Sequence, residues 1–174
     1  MIYNKEIIGN KIKLRTVELS DCRKYYLDWL NDPEVNQYLE TRWHEQSIDT
    51  IKEFVKSIRE SSHSYLFAII YQDKHIRNIK IGPIHPIYKF ADVSYFIGDK
   101  NCWKKGIATE AIKLVGKFAF EELNLHRLEA GAFEQNIGSQ KALLANGFVK
   151  EATYHKKSYL KLGDEYCDTI GMHY

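Results

Sequence analysis

The sequence is poor in residues that cross-link small proteins or bind metals. Its three cysteines, Cys22, Cys102 and Cys167, are widely spaced and odd in number, which argues against a disulfide-stapled scaffold for a chain of 174 residues. The seven histidines form neither an H-E-x-x-H motif nor a Cys/His pattern suited to zinc. We therefore expect a reduced, cytoplasmic protein with no bound metal.

Long apolar runs are absent as well. No segment approaches the roughly 18 consecutive apolar residues of a membrane span, and the stretch M-I-Y-N-K-E-I-I-G-N lacks the apolar core of a signal peptide. Neither sign of charge dominates, because 25 basic and 23 acidic residues leave a formal charge of +2. This balance argues against a nucleic-acid or membrane partner. We expect a soluble, unprocessed chain that holds anions only at a local site.

The composition also lacks signs of disorder or repetition. Only three prolines occur, and there is no internal repeat and no tract rich in serine, glycine or proline. The hydrophobic fraction of 44% and the charged fraction of 28% are those of an ordinary globular protein. A chain of this length suffices for one sizeable core and is too short for two. We therefore predict a single domain over residues 1–174.

Hydrophobic periodicity predicts alternating strands and helices. Period-2 alternation and β-branched runs predict strands over residues 11–17, 65–71, 75–82, 91–98, 126–133, 148–161 and 165–173. Apolar residues at three-to-four spacing predict helices from Ser20 to Asn31, over 47–60, over 109–123 and over 137–145, with a short helix or turn around 34–39. The order β α α β β β α β α β β is typical of a mixed α/β (α+β) domain, with a central twisted mixed sheet of about seven strands flanked by helices.

The segment W-K-K-G-I-A-T-E, which begins at Trp103, links the strand over 91–98 to the next helix. A turn of this kind presents unpaired backbone N–H groups and the positive end of a helix to one point. Small residues at Gly106 and Ala108 allow an anion to approach, and two lysines beside them add charge. The segment indicates a pyrophosphate site, or else an ordinary turn with surface lysines. Triphosphatase and Rossmann loops are excluded, because G-x-x-x-x-G-K-[ST] and G-x-G-x-x-G do not occur.

Several ordered motifs resemble the GCN5-related N-acetyltransferase (GNAT) superfamily, in the branch of ribosomal-protein N-terminal acetyltransferases. They are W-K-K-G-I-A-T-E-A-I from Trp103, L-N-L-H-R-L at 123–128, N-I-G-S at 136–139 and N-G-F at 146–148. The coenzyme A loop of that superfamily reads roughly [Q/R]-x-x-G-x-[G/A], and residues 103–108 match it except at the first position. The resemblance, which runs from about residue 11 to the C-terminus, implies the GNAT fold. It also implies acetyl-CoA as co-substrate and acetyl transfer to a primary amine by direct attack in a ternary complex.

The resemblance implies a set of coenzyme-binding residues. They are Phe96, Ile97, Trp103, Lys104, Lys105, Gly106, Ile107, Ala108, Thr109 and Asn136. A backbone N–H near Phe96 or Ile97 would polarise the thioester carbonyl where two strands splay apart. Asn136 resembles the asparagine that bonds the pantetheine arm, with a helix cap as the alternative. Lys104 stands where related loops usually have glycine, so a positive φ there would impose strain or shift the loop.

Acetyl transfer needs a base for the amine and an acid for the departing thiolate. Asp92 is the candidate base, because it lies in A-D-V-S-Y-F-I where related proteins often have A-E-I-G-Y; the alternative is a strand-end aspartate that only positions substrate. Leu143 occupies the position of the tyrosine acid found in many superfamily members. The resembled branch points instead to Ser139, which could equally cap a helix.

Acceptor recognition is less visible in the sequence. We expect Glu40, Arg42 and Tyr88 to contact the acceptor, from loops beside the predicted cleft. The alternative for Glu40 is a surface charge at the end of a helix. The acceptor would be a small-molecule or peptide amine, such as an amino sugar, a polyamine or a protein N-terminus, and the protein a monomer or homodimer. A protein that binds acyl-CoA as a sensor without efficient turnover is the alternative function, because Lys104 and Leu143 both depart from the family pattern.

Overall fold

The structure is a computed structural model that describes residues 1–174, with the exception of the Ile97 side chain. Its strands are β1 (Ile7–Ile8), β2 (Ile12–Thr16), β3 (Tyr65–Tyr71), β4 (Lys74–Ile84), β5 (Phe90–Ile97), β6 (Arg127–Phe133), β7 (Val149–Leu160) and β8 (Glu165–His173). Its α-helices are α1 (Lys24–Asn31), α2 (Pro33–Asn36), α3 (Ile48–Glu60), α4 (Ile107–Lys117) and α5 (Ile137–Leu144). Short 3-10 turns lie at Leu19–Asp21, Glu40–Trp43 and Lys100–Cys102, and a π-helical turn at Phe118–Glu122 extends α4.

Within the described residues, eight strands form one sheet in the order β1-β2-β3-β4-β5-β6-β8-β7. Neighbours from β1 to β5 are antiparallel, β5 and β6 are parallel, and β8 lies antiparallel between β6 and β7. The mixed sheet flanked by helices is confirmed. The expected number of strands was one too low, because β1 is only two residues long and pairs with β2 at Leu14 and Lys13. So short a strand carries no periodic signal.

The first helix starts later than predicted. Ser20 lies in the 3-10 turn at Leu19–Asp21 and does not cap a helix, and α1 begins only at Lys24. The Asp21 carboxylate explains the difference. It accepts hydrogen bonds from the Glu18 N–H at 2.8 Å and from both terminal nitrogens of Arg15 at 2.7 Å. These bonds hold the chain in the turn before the helix can start.

Each face of the sheet is covered by different helices. On one side, called the α4 face, Ile79 of β4 packs in the same buried cluster as Ile112 of α4. On the other, called the α1 face, Leu66 of β3 clusters with Tyr26 of α1 and Val55 of α3. Burial of aliphatic side chains of this size contributes about 1.5–3 kcal/mol each, so both faces hold the sheet firmly. None of the helices in the described chain has the length and apolar character needed to cross a bilayer.

Candidate active site

Strands β5 and β6 separate in the middle of the sheet. They pair through Phe90↔Arg127, Ala91↔Leu128 and Asp92↔Glu129, yet β5 continues to Ile97 and β6 to Phe133. Beyond Asp92, the backbone groups that would join the two strands therefore face a gap. The splay expected from the family resemblance is confirmed. Phe96 and the backbone of Ile97 lie on the diverging part of β5, whereas the Ile97 side chain is outside the described residues.

Residues 99–106 follow β5 at the mouth of this gap, and we call them the coenzyme loop because they contain part of the segment that resembles the coenzyme A loop of the superfamily. A 3-10 turn at Lys100–Cys102 interrupts it, capped by the Asp99 side chain, which accepts a hydrogen bond from the Asn101 N–H at 2.9 Å. The sequence predicted a loop that passes directly from strand to helix, and the 3-10 turn within that loop was not predicted. Helix α4 begins at Ile107, two residues before its predicted start.

The start of α4 has the geometry expected of an anion site. Its first intrahelical hydrogen bond runs from the Glu110 N–H to the Gly106 carbonyl at 3.0 Å. The N–H groups of Ile107, Ala108 and Thr109 precede that bond, so they point out of the helix end with the positive end of its dipole. Gly106 has φ of +75°, and a Cβ added to it would meet nothing closer than the Lys11 Nζ at 3.9 Å. The approach to these amides is open.

Lys104 adopts a left-handed backbone conformation with φ of +61°. A non-glycine residue in this region carries a cost of order 1–3 kcal/mol. The strain that the sequence suggested at this position is therefore present. Lys104 and Gly106 together reverse the chain so that α4 starts beside the gap.

Lys11, which sequence reasoning missed, also reaches the coenzyme loop. Its Nζ donates a hydrogen bond to the Lys105 carbonyl at 3.3 Å. Its backbone N–H donates to the Glu110 carboxylate at 2.9 Å, which ties the β1–β2 turn to the first turn of α4. No local pattern could reveal these contacts, because they join residues 94 and 99 positions apart. Lys11 thus adds a lysine from a distant part of the chain to Lys104 and Lys105.

Ser139 and Tyr95 form a hydroxyl pair across the gap. Asn136 caps α5, since its Oδ1 accepts a hydrogen bond from the Ser139 N–H at 3.2 Å. The Ser139 Oγ, which is therefore not the cap, lies 2.8 Å from the Tyr95 hydroxyl. Burial raises the pKa of Tyr95 to about 12, so this hydroxyl stays protonated. The bond joins β5 to the helix that follows β6, and sequence reasoning overlooked Tyr95 although it lies in the same motif as Asp92.

Asp92 lies on the opposite face of β5 from Tyr95. Because side chains alternate along a strand, Tyr95 packs on the α4 face with Val93, and Asp92 is exposed on the α1 face. Partial burial of its carboxylate and the charge of Glu129, its partner on β6, raise the pKa of Asp92. Arg127 holds Glu129 through a 2.7 Å ion pair. Asp92 therefore occupies the point at which the two strands begin to diverge.

Glu40 and Arg42 lie together near the end of β6. Arg42 is 7% exposed, and its guanidinium donates to the Tyr159 carbonyl at 3.1 Å and lies 3.2 Å from a Glu40 carboxylate oxygen. It also lies 5.2 Å from the centre of the Phe133 ring. Arg42 thus anchors the 3-10 turn at Glu40–Trp43 to the β7–β8 hairpin, while Glu40 is exposed. A cavity of 390 Å³ beside this turn is lined by Asn31, Asn36, Arg42, Trp43, Lys161 and neighbouring residues.

Tyr88 does not lie near Glu40 and Arg42. It lies in the loop between β4 and β5, at the end of β5 opposite to the coenzyme loop, where its ring stacks on His85 with centroids 4.5 Å apart. Its exposed fraction is 65%. The structure therefore separates Tyr88 from Glu40 and Arg42.

The cysteines are free and buried, and burial raises the pKa of the Cys102 thiol beside the coenzyme loop. A raised pKa disfavours the thiolate needed for nucleophilic attack. Among the described side chains, no group of three or more His, Cys, Asp or Glu residues is placed to hold a metal ion.

Comparison with known proteins places this geometry in context. A family model described as an acetyltransferase (GNAT) domain matches residues 11–149. The "Uncharacterized N-acetyltransferase p20" of Bacillus licheniformis is 30% identical over 146 residues, which cover 81% of this chain and 80% of that protein. The "Probable N-acetyltransferase YjcK" of Bacillus subtilis (strain 168) is 48% identical over 66 residues, or 38% of this chain and 36% of that protein. The match to YjcK thus covers only about a third of the length of that protein.

Solved structures share the fold at low sequence identity. A RimL ribosomal L7/L12 α-N-protein acetyltransferase in complex with coenzyme A has a TM-score of 0.88 at 17% identity, covering 98% of this chain and 97% of that one. A spermidine N-acetyltransferase from Vibrio cholerae, in complex with CoA and spermine, has a TM-score of 0.84 at 20% identity, with 95% and 96% covered.

Proposed function

The chain belongs to the acetyltransferase (GNAT) family, and from this premise we propose that it transfers an acetyl group from acetyl-CoA to a primary amine by direct attack in a ternary complex. The observation that carries the proposal is the splay between β5 and β6, which has Asp92 on one face and the Ser139–Tyr95 pair on the other. An amine and a thioester that meet in this gap would find an acceptor for a proton on one side and a donor on the other.

The coenzyme would bind along the loop and the diverging part of β5. Acetyl-CoA supplies the activated acetyl thioester. The first amides of α4, with Lys104 and Lys105, are suited to its diphosphate. The backbone N–H groups around Phe96 and Ile97 are suited to the thioester carbonyl. Asn136 uses its Oδ1 to cap α5, which leaves its Nδ2 group as a donor for the pantetheine arm.

Asp92 would take up the proton of the attacking amine, directly or through a water. Its raised pKa makes the carboxylate a better base than an ordinary aspartate, because basicity rises with pKa. The position on the α1 face fits an amine that enters from the side of Glu40 and Arg42.

Ser139 would donate a proton to the leaving thiolate and regain one from solvent, and Tyr95 would hold the Ser139 hydroxyl in place. The single proton of the Tyr95 hydroxyl can go to the Ser139 Oγ at 2.8 Å or to the Ser139 carbonyl at 3.3 Å, and both contacts keep Tyr95 against the first turn of α5. Leu143, which stands at the position of the usual tyrosine acid, is 1% exposed and has no proton to donate. Ser139 would take over that role.

The acceptor would be a small-molecule or peptide amine. The named structural neighbours include a spermidine acetyltransferase and a ribosomal-protein acetyltransferase, and both of those substrates present a primary amine. The cavity beside the Glu40–Trp43 turn, lined by Arg42 and Lys161, offers room for the remainder of such a molecule.

Thiol release from acetyl-CoA in the presence of an amine panel tests this function. The panel contains spermidine, glucosamine and a short peptide with a free N-terminus. Release that depends on one of these amines is the expected result. Tight coenzyme binding by calorimetry without release for any amine would instead indicate a sensor that binds acyl-CoA.

The roles of the hydroxyl pair are tested by Ser139→Ala and Tyr95→Phe. General acid catalysis is worth about 10²–10⁴-fold, so we expect Ser139→Ala to lower kcat at least about tenfold and to change the Kd of coenzyme A less than about twofold. Tyr95→Phe should lower kcat by a smaller factor. The matched control is Tyr65→Phe, which removes a half-buried tyrosine hydroxyl from the same face without touching the gap. Unchanged kcat in Ser139→Ala would remove this residue from the mechanism.

A further inference from the structure

Arg77 is the largest fully buried side chain of the described protein, with an exposed fraction of 1%. It lies in the middle of β4, opposite Ile69 of β3 and Ile97 of β5. Alternation along β4 places it on the same face as Ile79, which is the α4 face. A charged group has therefore been placed in the core beneath the coenzyme loop.

The Arg77 guanidinium is poorly satisfied. Its Nε and Nη2 have no hydrogen-bond partner among the described residues. Arg15 shows the contrast, because both of its terminal nitrogens bond the Asp21 carboxylate at 2.7 Å. Burial lowers the pKa of Arg77 to about 10, against the weaker opposing charges at Cys102 and Asp99. A buried charge without a full partner destabilises the folded state, so we expect the free protein to be less stable with Arg77 than with an apolar residue at this position.

The charge lies under the loop that we assign to the coenzyme. The Asp99 N–H bonds the carbonyl of Ile76, the residue before Arg77, at 3.4 Å. Cys102 is buried in the same cluster as Ile79. Burial raises the pKa of its thiol, and the charges of Arg77 and Lys105 act in the opposite direction. Asp99 caps the Lys100–Cys102 turn with its carboxylate. The charge of Arg77 thus lies within electrostatic range of Asp99 and Cys102, the residues with which the loop begins.

We propose that Arg77 is a coenzyme-binding residue, whose buried guanidinium supplies the fixed positive charge that holds the diphosphate of coenzyme A at the start of α4. The inference rests on the proposed function, since it takes coenzyme A as the ligand. An anion at the α4 amides provides the counter-charge that Arg77 lacks in the free protein. Because Coulombic attraction falls only with the inverse of distance, a charge fixed in the core can act on the diphosphate without direct contact.

The test is Arg77→Met, which keeps an unbranched apolar stem and removes the charged guanidinium. Without ligand we expect its melting temperature to rise by at least about 2–4 °C, the change that corresponds to about 1 kcal/mol in a chain of this size. By calorimetry we expect its Kd for coenzyme A to rise at least about tenfold, which corresponds to about 1.4 kcal/mol. Inorganic pyrophosphate should compete with coenzyme A at least about tenfold less well than in the wild type.

Arg15→Met serves as the control, because it removes an arginine whose carboxylate partner is in place. It should lower the melting temperature and leave the Kd of coenzyme A unchanged. An Arg77→Met protein that fails to fold, melts lower without ligand, or binds coenzyme A and pyrophosphate like the wild type would overturn the role of Arg77. A wild-type protein that binds no coenzyme A would instead refute the proposed function.

Discussion

Replacement of Lys104 by glycine should stabilise the protein, although it removes a charge and a side chain. Lys104 has φ of +61° at the turn into α4. An L-residue pays roughly 1–2 kcal/mol in this left-handed region because its Cβ crowds the following carbonyl, and glycine pays nothing. The greater freedom of glycine in the unfolded chain offsets about 0.5–1 kcal/mol of this gain. The net gain is about 0.5–1 kcal/mol, equivalent to a rise in melting temperature of about 1–4 °C.

Lys105→Gly is the matched control for this substitution. It removes the same charge from the next position, and Lys105 is not among the described residues with positive φ. At position 105 no strain is relieved, and glycine only increases the conformational entropy of the unfolded chain. The melting temperature of Lys105→Gly should therefore fall by about 1–4 °C. Differential scanning calorimetry of the two proteins without ligand makes the comparison direct. Equal changes in both variants would show that the backbone at Lys104 is not strained.

Three further substitutions report on the rest of the site and the core. Asp92→Asn should remove the fall in kcat/KM at acidic pH, because a base with a raised pKa loses activity as the pH drops through that pKa; an unchanged pH profile would exclude Asp92 as the base. Gly131 is exposed on the α1 face of β6, and a Cβ added to it would meet only Thr169, at 3.7 Å. Gly131→Val should therefore fold normally, raise the KM of the amine by occupying space on the face from which we propose the amine enters, and leave coenzyme affinity unchanged. An unchanged KM would place the acceptor elsewhere. His75→Gln should reduce the loss of unfolding free energy between about pH 7.5 and about pH 5.5, measured by urea denaturation. Burial lowers the pKa of His75, so the unfolded chain takes up the proton first, and stability is lost as the pH falls from about 6.5 towards the folded pKa. Equal losses in wild type and variant would contradict this origin.

Most of the fold could be predicted from periodicity. Strand 65–71 and the last strand, 165–173, match the structure residue for residue, and the other major strands differ by one or two residues at their ends. Such runs are long enough for the hydrophobic pattern to show. The errors occur where a pattern is too short, as in β1, or where a side chain binds the backbone locally. Asp21 does the latter before α1, and Asp99 does so in the coenzyme loop.

The geometry of the coenzyme loop could be predicted because it depends on the local backbone. A glycine, a strand before it and a helix after it suffice to create outward-pointing amides, and these lie within ten consecutive residues. The left-handed conformation at Lys104 was predictable for the same reason, since glycine is preferred where φ is positive.

The rest of the candidate site depends on contacts between distant residues. Tyr95 and Ser139 are 44 positions apart, and Lys11 and Lys105 are 94 apart. The role proposed for Arg77 likewise depends on the coenzyme loop, which begins 22 positions later in the sequence and contacts the backbone beside it. A sequence pattern gives the face of a strand on which such a residue lies, but the register of the sheet decides what it meets.

Strand β5 is the element that brings these distant parts together. It carries Asp92 on the α1 face and Tyr95 on the α4 face, and it leads directly into the loop above Arg77. Its pairing with β6 ends at Asp92, so the gap opens at the residue proposed as the base. The bond from Tyr95 to Ser139 then bridges the gap on the other face, where the proposed reaction needs a hydroxyl for the leaving thiolate. The position of one strand therefore sets the distance between the proposed proton acceptor and the proposed proton donor. For this reason, the parting of β5 and β6 is stronger support for acetyl transfer than any single side chain at the site.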